Sequence, residues 1–277
     1  MESKELTVVI VTFKSDEKII NCLKSISYNI PVVVVENSDN RNFKNKIENF
    51  FTNVNCILVG ENKGYATANN IGLKSVKTKY ALILNPDTIL DKEAIKNFFN
   101  ASEQVKDFWL IGPANNQIVN FNDKDSNLKE VDNLKGFAIF LNLSKFNQNY
   151  FDENFFLFFE EIDLCRRVKK NKGKIYLDKN IFVKHDGASS VNKINKLDLE
   201  KTRNWHWMWS TFYYHKKHKG FLLALLIVIP KIITATLKLI LSFITSNKKQ
   251  REIYLSRLSG LINSIAGKES WFRPRLD

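Results

Sequence analysis

The sequence predicts an α/β protein with a mostly parallel sheet flanked by helices, followed by a helical C-terminal appendage. Three observations carry that expectation. Residues 6–13 (LTVVIVTF), 31–36 (PVVVVE) and 80–84 (YALIL) are apolar without alternation, the pattern of strands buried on both faces. Between them, apolar residues recur at helical spacing, as in Ile19, Ile20, Leu23 and Ile26. The connections are short, and such alternation gives parallel strands joined by right-handed crossovers.

The first strand, 6–13, is followed by Ser15 in position to cap a helix. The second strand stops at Asn37-Ser38-Asp39-Asn40. A helix with Phe43, Ile47, Phe50 and Phe51 then leads to a strand at 54–59. Beyond Gly60-Glu61-Asn62-Lys63-Gly64 another helix runs to about Val76, where Ala66, Ala68 and Gly72 permit close contacts. The strand at 80–84 ends at Asn85-Pro86-Asp87. Pro86 cannot donate to a ladder and biases Asn85 away from helix, so the chain turns there. A helix over 90–105, a short strand at 108–111 and an Asn/Asp/Lys-rich loop or lid over 115–133 follow. Then come a strand at 134–143, a helix over 160–172 and strands at 175–177 and 181–184.

A chain of 277 residues, 44% hydrophobic and 26% charged, suits one large folded domain with an appendage, divided near residue 200. Cys22, Cys56 and Cys165 have neither pairing nor metal spacing, as expected of reduced cytoplasmic thiols. The opening Met1-Glu2-Ser3-Lys4-Glu5 leads straight to a strand, so no signal peptide is expected. The net charge of +13 is uneven: residues 201–277 hold 14 Lys/Arg against 3 Asp/Glu, the first 200 hold 28 against 26. The basic segment is interleaved with long apolar runs, which favours an anionic membrane surface over nucleic acid.

Four features fall just past strands, on the carboxyl edge where open α/β sheets bind ligands. They are Thr12-Phe13, Glu36 with the three residues after it, Asn62-Lys63-Gly64, and Asn85-Pro86-Asp87. Neither G-x-x-x-x-G-K-[ST] nor G-x-G-x-x-G is present, so a diphosphate here needs a metal, and Asp87 is a carboxylate to hold one. Taken alone, Asn-Pro-Asp is an ordinary turn. Glu160, Glu161 and Asp163 lie behind the aromatic run 155–159. Acidic residues are common at a helix start, but a buried one can serve as a general base. Asp163 is also spaced for an ion pair with Arg166 or Arg167 on one helix face. His185 ends the last strand; a lone His usually packs or hydrogen-bonds, but at that edge it is a second candidate metal ligand.

The segments VVIVTF, VVVVENSDN, ENKGYATANNIGL, YALILNPDT, KGFAIFL, FDENFFLFFEEIDLCRRV and VKHDGASSV occur in this order over roughly residues 6–192. Together they resemble the family-2 glycosyltransferases with the GT-A fold, close to the rhamnosyltransferase-like branch. The resemblance implies a Rossmann-like catalytic domain over 1–200 and inverting transfer of a sugar from a nucleoside-diphosphate donor. It puts Thr12 and Glu36 at the nucleoside, Asn62 and Asn69 beside the base or ribose, and Asn85 in the first position of the metal motif. Phe13, Gly64 and Asn70 are further candidates for the donor site. Asp87 is the surviving carboxylate of a D-x-D metal motif for Mg²⁺ or Mn²⁺, His185 helps hold the metal or diphosphate, and Glu161 is the base, with Glu160 its substitute. Glu36 in place of the usual Asp, Asn69 in place of a frequent Arg, and Glu-Glu-Ile-Asp in place of Glu-Asp-x-Asp are departures from the family pattern.

Residues 204–220 (NWHWMWSTFYYHKKHKG) mix aromatic and basic side chains as membrane boundaries do; an aromatic core helix and an acceptor-binding wall are the other readings. Residues 221–229 are wholly apolar, and Pro230 is expected to break or restart the helix. Lys231, Thr234, Lys238, Ser242 and Thr245 form a polar stripe that argues against a simple span. The expectation is a helix pair over about 205–245 that lies in or dips into the cytoplasmic face and meets a lipid-linked or glycan acceptor. A non-catalytic GT-A-fold binding or scaffold protein is the alternative of another class; a sugar nucleotidyltransferase would bring the glycine-rich phosphate loop that is lacking here.

Overall fold

The computed structural model describes residues 2–114, 127–185 and 196–273. They fall into two units, Met1–Asp152 with Glu161–Asn192, and Glu153–Glu160 with Lys193–Asp277. The division near residue 200 does not anticipate that 153–160 group with the C-terminal helices. The reason is aromatic: Phe156 stacks on His206 at 4.5 Å, Phe158 meets Trp207 at 5.4 Å and Phe159 meets Tyr214 at 5.3 Å.

In the first unit, α1 (Glu2–Glu5) leads to β1 (Leu6–Thr12), α2 (Lys18–Lys24), β2 (Val32–Glu36) and α3 (Arg41–Phe50). Then come β3 (Val54–Leu58), α4 (Gly64–Ser75) and β4 (Tyr80–Leu84). β1, β2 and β4 are buried at every residue, as their unalternating composition predicts. All pairings among these strands are parallel, and Thr12 stands beside Glu36 at the shared end of β1 and β2. Gly72 lets α4 lie close on them: a Cβ there would sit 2.5 Å from Val9 Cγ1 and 3.0 Å from Val35 Cγ2. Ser15 does not cap α2; its hydroxyl donates to the Phe13 carbonyl, while its own carbonyl accepts the N–H groups of Lys18 and Ile19.

The chain continues through β5 (Thr88–Leu90), α5 (Ala94–Gln104), β6 (Phe108–Pro113), β7 (Leu128–Glu130) and β8 (Ala138–Asn142). It ends this unit with α6 (Glu160–Lys170), β9 (Lys174–Asp178) and β10 (Val183–His185). The main sheet has the order β3-β2-β1-β4-β8-β6-β9-β7, and β10 pairs with β5 separately. β8 runs antiparallel to both β4 and β6, so the sheet is mixed beyond β4. Its antiparallel entry brings residues 136–137 to the edge where the parallel strands end. The expected helix start at 90 shifts to Ala94 because Thr88–Leu90 pair with β10. Most of the expected 115–133 loop lies outside the described residues, as does the stretch after His185; its end forms the strand β7 along β9.

The second unit carries α7 (Lys196–Lys219), α8 (Phe221–Ile244) and α9 (Lys248–Ile265). Pro230 does not break α8, which runs unbroken through it. Packing overrides the proline: buried Ala224 and Val228 before it and Ala235 and Ser242 after it share one helix face. Trp205 and Trp209 are buried, donating to Ser259 Oγ at 3.2 Å and to the Lys268 carbonyl at 3.0 Å. The aromatic residues of α7 are therefore largely core, and the boundary-belt reading of 204–220 gives way to the aromatic core helix. α9 meets α7 backbone to backbone, since a Cβ on Gly260 would collide with the Trp205 carbonyl oxygen. Gly260→Ala is expected to cost about 1–3 kcal/mol by overpacking. The check is the thermal midpoint by circular dichroism, and an unchanged midpoint would refute the close approach.

Candidate active site

The ends of β1 and β2 carry buried polar groups with unused hydrogen-bonding capacity. Glu36 Oε1 accepts from the Ser38 hydroxyl, whereas Oε2 has no partner. Thr12 Oγ1 and, on α4, Asn69 Oδ1 are likewise buried without partners, although Asn69 Nδ2 donates to the Tyr65 carbonyl at 2.9 Å. A buried polar group left unmatched costs about 1–3 kcal/mol, so Thr12 and Glu36 at the strand ends and Asn69 on α4 are groups that a bound ligand or water would complete. Burial pushes the Glu36 carboxyl from 4.5 up to about 7, against the opposing Ser38 hydrogen bond. The folded chain thus holds this proton more tightly than the unfolded chain. The resulting stability is full below the unfolded value and is lost as pH rises through about 7, roughly 3 kcal/mol in all. Glu36→Gln is therefore expected to raise the urea midpoint at pH 8 and to flatten its decline with pH; a slope like that of the native chain would place the titrating group elsewhere.

Asn37 staples this edge to the start of α4. Its Nδ2 donates to Asn62 Oδ1 at 3.0 Å and to the Gly64 carbonyl at 3.1 Å, and its Oδ1 accepts from Lys63 N at 2.9 Å. Gly64 has φ +84°, a left-handed conformation suited to glycine, and its N–H donates to Asn62 Oδ1 at 3.1 Å. Asn62 is thus a builder of the loop. Asn70 also reaches away from this edge: both ends of its amide bind the Phe151 backbone, at 2.9 and 3.0 Å. Sequence reasoning put it in the donor site; the structure gives it a clamp on residue 151. Phe13 is half-buried and supplies the carbonyl that Ser15 binds.

The turn after β4 is held from both sides. Asn85 N donates to the Phe137 carbonyl at 2.9 Å. The Tyr65 hydroxyl reaches Asn85 Oδ1 at 3.2 Å and the Gly136 carbonyl at 2.9 Å. Asp87 is buried, and its Oδ1, which makes no hydrogen bond, lies 3.4 Å from His185 Nε2. Burial raises the Asp87 carboxyl, but the adjacent His185 more than offsets this and holds it below the usual carboxylate value. β10 fixes His185 opposite Thr88, and its ring stacks on Phe137 at 4.7 Å. One carboxylate oxygen and one imidazole nitrogen can ligate a divalent cation without selecting which. Among the described residues no group of three His, Cys, Asp or Glu side chains could hold a metal, so other ligands must complete the shell.

Glu161 lies beside Gly136, whose carbonyl accepts from Tyr65: a Cβ on Gly136 would touch Glu161 Cβ, Cγ and Cδ at 3.6–3.7 Å. Surrounding protein holds the Glu161 carboxyl above its ordinary value while part of the residue stays open to solvent. Glu160 is buried. Asp163 is fully buried and paired with Arg167 Nε at 2.8 Å, and that guanidinium also binds the carbonyls of Asn149 and Tyr150. Its place is the anticipated ion pair, which removes it from the reacting groups. Ahead of α6, Phe158 and Phe159 have φ +70° and +72°, strain of about 1–3 kcal/mol each that their contacts to Trp207 and Tyr214 sustain. Asn37 was foreseen only as part of the feature after β2, and Tyr65, Gly136 and Phe137 were not foreseen as site residues. Only their position inside or beside the quoted motifs signalled them.

The sequence profile of "Glycosyl transferase family 2" matches residues 7–166. The chain is 28% identical over 193 residues to the low-salt glycan biosynthesis hexosyltransferase Agl10 of Haloferax volcanii, covering 60% of this chain and 62% of that protein. It is 31% identical over 100 residues to the teichoic acid poly(glycerol phosphate) polymerase of Staphylococcus epidermidis, covering 33% of this chain and 14% of that protein. The chain thus spans less than two thirds of the length of either relative. Mannosyltransferase PcManGT from Pyrobaculum calidifontis, solved with GDP-Man and Mn2+, superposes with a TM-score of 0.57 at 10% identity, covering 96% of this chain and 88% of that one. S. aureus TarS 1-349 gives 0.54 at 13% identity, covering 97% and 93%. At such identities the two likenesses speak to the fold, which is GT-A. Since the profile takes in more than half of the chain and every edge residue from Thr12 to Glu161, the protein belongs to glycosyltransferase family 2.

Proposed function

We propose that the protein is an inverting glycosyltransferase of cell-envelope glycan synthesis. It moves a sugar from a nucleoside-diphosphate donor to a lipid-linked or polysaccharide acceptor at the inner face of the cell membrane. The sequence resemblance favours dTDP-rhamnose as donor. The observation that carries the reading is the set of unmatched buried atoms, Thr12 Oγ1, Glu36 Oε2 and Asn69 Oδ1, at the carboxyl edge of a family-2 sheet. A nucleoside placed there supplies the missing donors and acceptors.

Asp87 and His185 would hold a Mg²⁺ or Mn²⁺, which neutralises the charge of the leaving diphosphate. Asn85, fixed by Tyr65, keeps the turn in place. Glu161 accepts the proton of the acceptor hydroxyl as its oxygen bonds to the anomeric carbon from the face opposite the diphosphate. The bond from that carbon to the diphosphate oxygen breaks, and the nucleoside diphosphate leaves with the bonding pair. A raised pKa suits this role, because a base titrating nearer neutrality is a better proton acceptor while still ionised.

The test is a panel of nucleoside-diphosphate sugars, read by thermal stabilisation and by donor hydrolysis with and without Mn²⁺. The expected result is stabilisation by one nucleotide class and metal-dependent release of the diphosphate, greatest with dTDP-rhamnose. A panel with neither effect overturns the reading.

A further inference from the structure

α8 has two apolar faces, and only one is covered. Ala224, Val228, Ala235 and Ser242 are buried, the first two in a cluster with Met208, Phe212 and Leu261 from α7 and α9. Leu226, Ile229, Ile233, Leu237, Ile240 and Ile244 are spaced three, four, four, three and four. At 3.6 residues per turn they fill one stripe about 80° wide, centred opposite the buried face. All six are exposed, from 40% for Ile229 to 76% for Ile244. The anticipated polar stripe is not on this outer face: Ser242 is buried, and Lys231 and Lys238 lie on the flank beside the packed side.

Length and composition alone would let α8 cross a bilayer. Its packing argues otherwise. Lys238 lies over the Tyr254 ring at 5.7 Å and Arg251 over the Phe243 ring at 5.1 Å, so charged residues of α9 run alongside α8. Lys201 pairs with Glu252 at 3.1 Å and Lys249 with Glu200 at 2.9 Å, between α7 and α9. Spanning would carry these groups into hydrocarbon at prohibitive cost, or strip α8 from its packed face.

We infer that α8 is an in-plane membrane anchor, its open Leu/Ile stripe sunk into one leaflet of an anionic bilayer while α7 and α9 stay in the headgroup and aqueous layers. This rests on the membrane association proposed above and specifies its surface and geometry. The charge pattern selects the occupant. Exposed Lys216, Lys217 and Lys219 precede the helix, exposed Lys248 and Lys249 follow it, and α8 itself contains no acidic residue. Both ends therefore meet anionic headgroups favourably. A second copy docked stripe to stripe, in either direction, would set lysine clusters against each other.

The experiment uses the full chain with vesicles of phosphatidylcholine, alone or mixed with phosphatidylglycerol. Cosedimentation with the mixed vesicles, weakened by salt, is expected. Leu226→Glu with Leu237→Glu should lower partitioning at least about tenfold, since a charge replaces a lipid-buried side chain at each site, and should leave circular dichroism unchanged. Depth is read by labelling Leu222→Cys, Ile233→Cys and Ile244→Cys against quencher lipids; Cys22, Cys56 and Cys165 are buried and stay unlabelled. Equal shallow depths support the in-plane anchor. A deep Ile233→Cys label between two shallow ones means a span and overturns it, as does a stripe-dependent dimer that ignores vesicles. Donor hydrolysis is scored on the same samples, so a failed anchor with intact hydrolysis leaves the catalytic reading standing, and the converse result leaves the anchor standing.

Discussion

Asp87→Ala is expected to lower sugar transfer by about 10²–10³-fold or more, the scale of losing one charge-stabilising group at a reacting centre. The protein should remain folded. The Asp87 carboxylate is paired with His185 at 3.4 Å, so removing it also costs the fold about 1–3 kcal/mol, which leaves the two effects to be separated by measurement. The decisive measurement is thermal stabilisation by Mn²⁺ with nucleoside diphosphate. The native chain gains and the variant does not, each compared with its own melt without ligand. A variant that still gains stability from Mn²⁺ and nucleotide together would move the metal away from Asp87 and His185.

Glu161→Gln is expected to cut turnover by about 10²–10⁴-fold, the usual contribution of a positioned base, with donor affinity unchanged. Gln keeps the shape that fits beside Gly136, so packing is preserved. The pH dependence is a second readout. Burial holds the Glu161 carboxyl above its ordinary value. The native rate should therefore fall on the acid side at a higher pH than an exposed carboxylate would give, as the base takes up its proton. Stability runs the other way: a carboxyl with a raised folded pKa favours the fold at low pH and loses that advantage as pH rises. The Gln variant should thus be at least as stable as the native chain at pH 8. Full turnover by the variant would assign the base elsewhere, with Glu160 the next candidate.

The parallel half of the fold was legible because β1, β2 and β4 are uniformly apolar runs with helical patterns between them. The antiparallel insertion of β8 was not, since a buried strand reads the same in either direction and its partners lie far along the chain. Pro230 was read by its local cost, which the packing of Ala224, Val228, Ala235 and Ser242 outweighs. At the candidate site, Glu36, Asn85 and Asp87 could be proposed because strand ends mark them, and Glu161 because of the family resemblance. Tyr65 could not: its role is a hydroxyl bridging Asn85 and Gly136, which are joined only by the fold. Asn70 shows the converse, since an amide beside a nucleotide motif says nothing of its bonds to residue 151.

The reversed strand β8 also sets an order of assembly. β1 to β4 pair through short local crossovers, so the strand ends carrying Thr12 and Glu36 have their sheet partners within the first 84 residues. Leu84 meets Ala138, and Asn85 meets Phe137, only after the chain between them has folded back. Contacts so distant in sequence pay their loop-closure entropy late. During synthesis, the ends of β1 and β2 would therefore be paired well before the segments carrying Glu161 and His185 reach them.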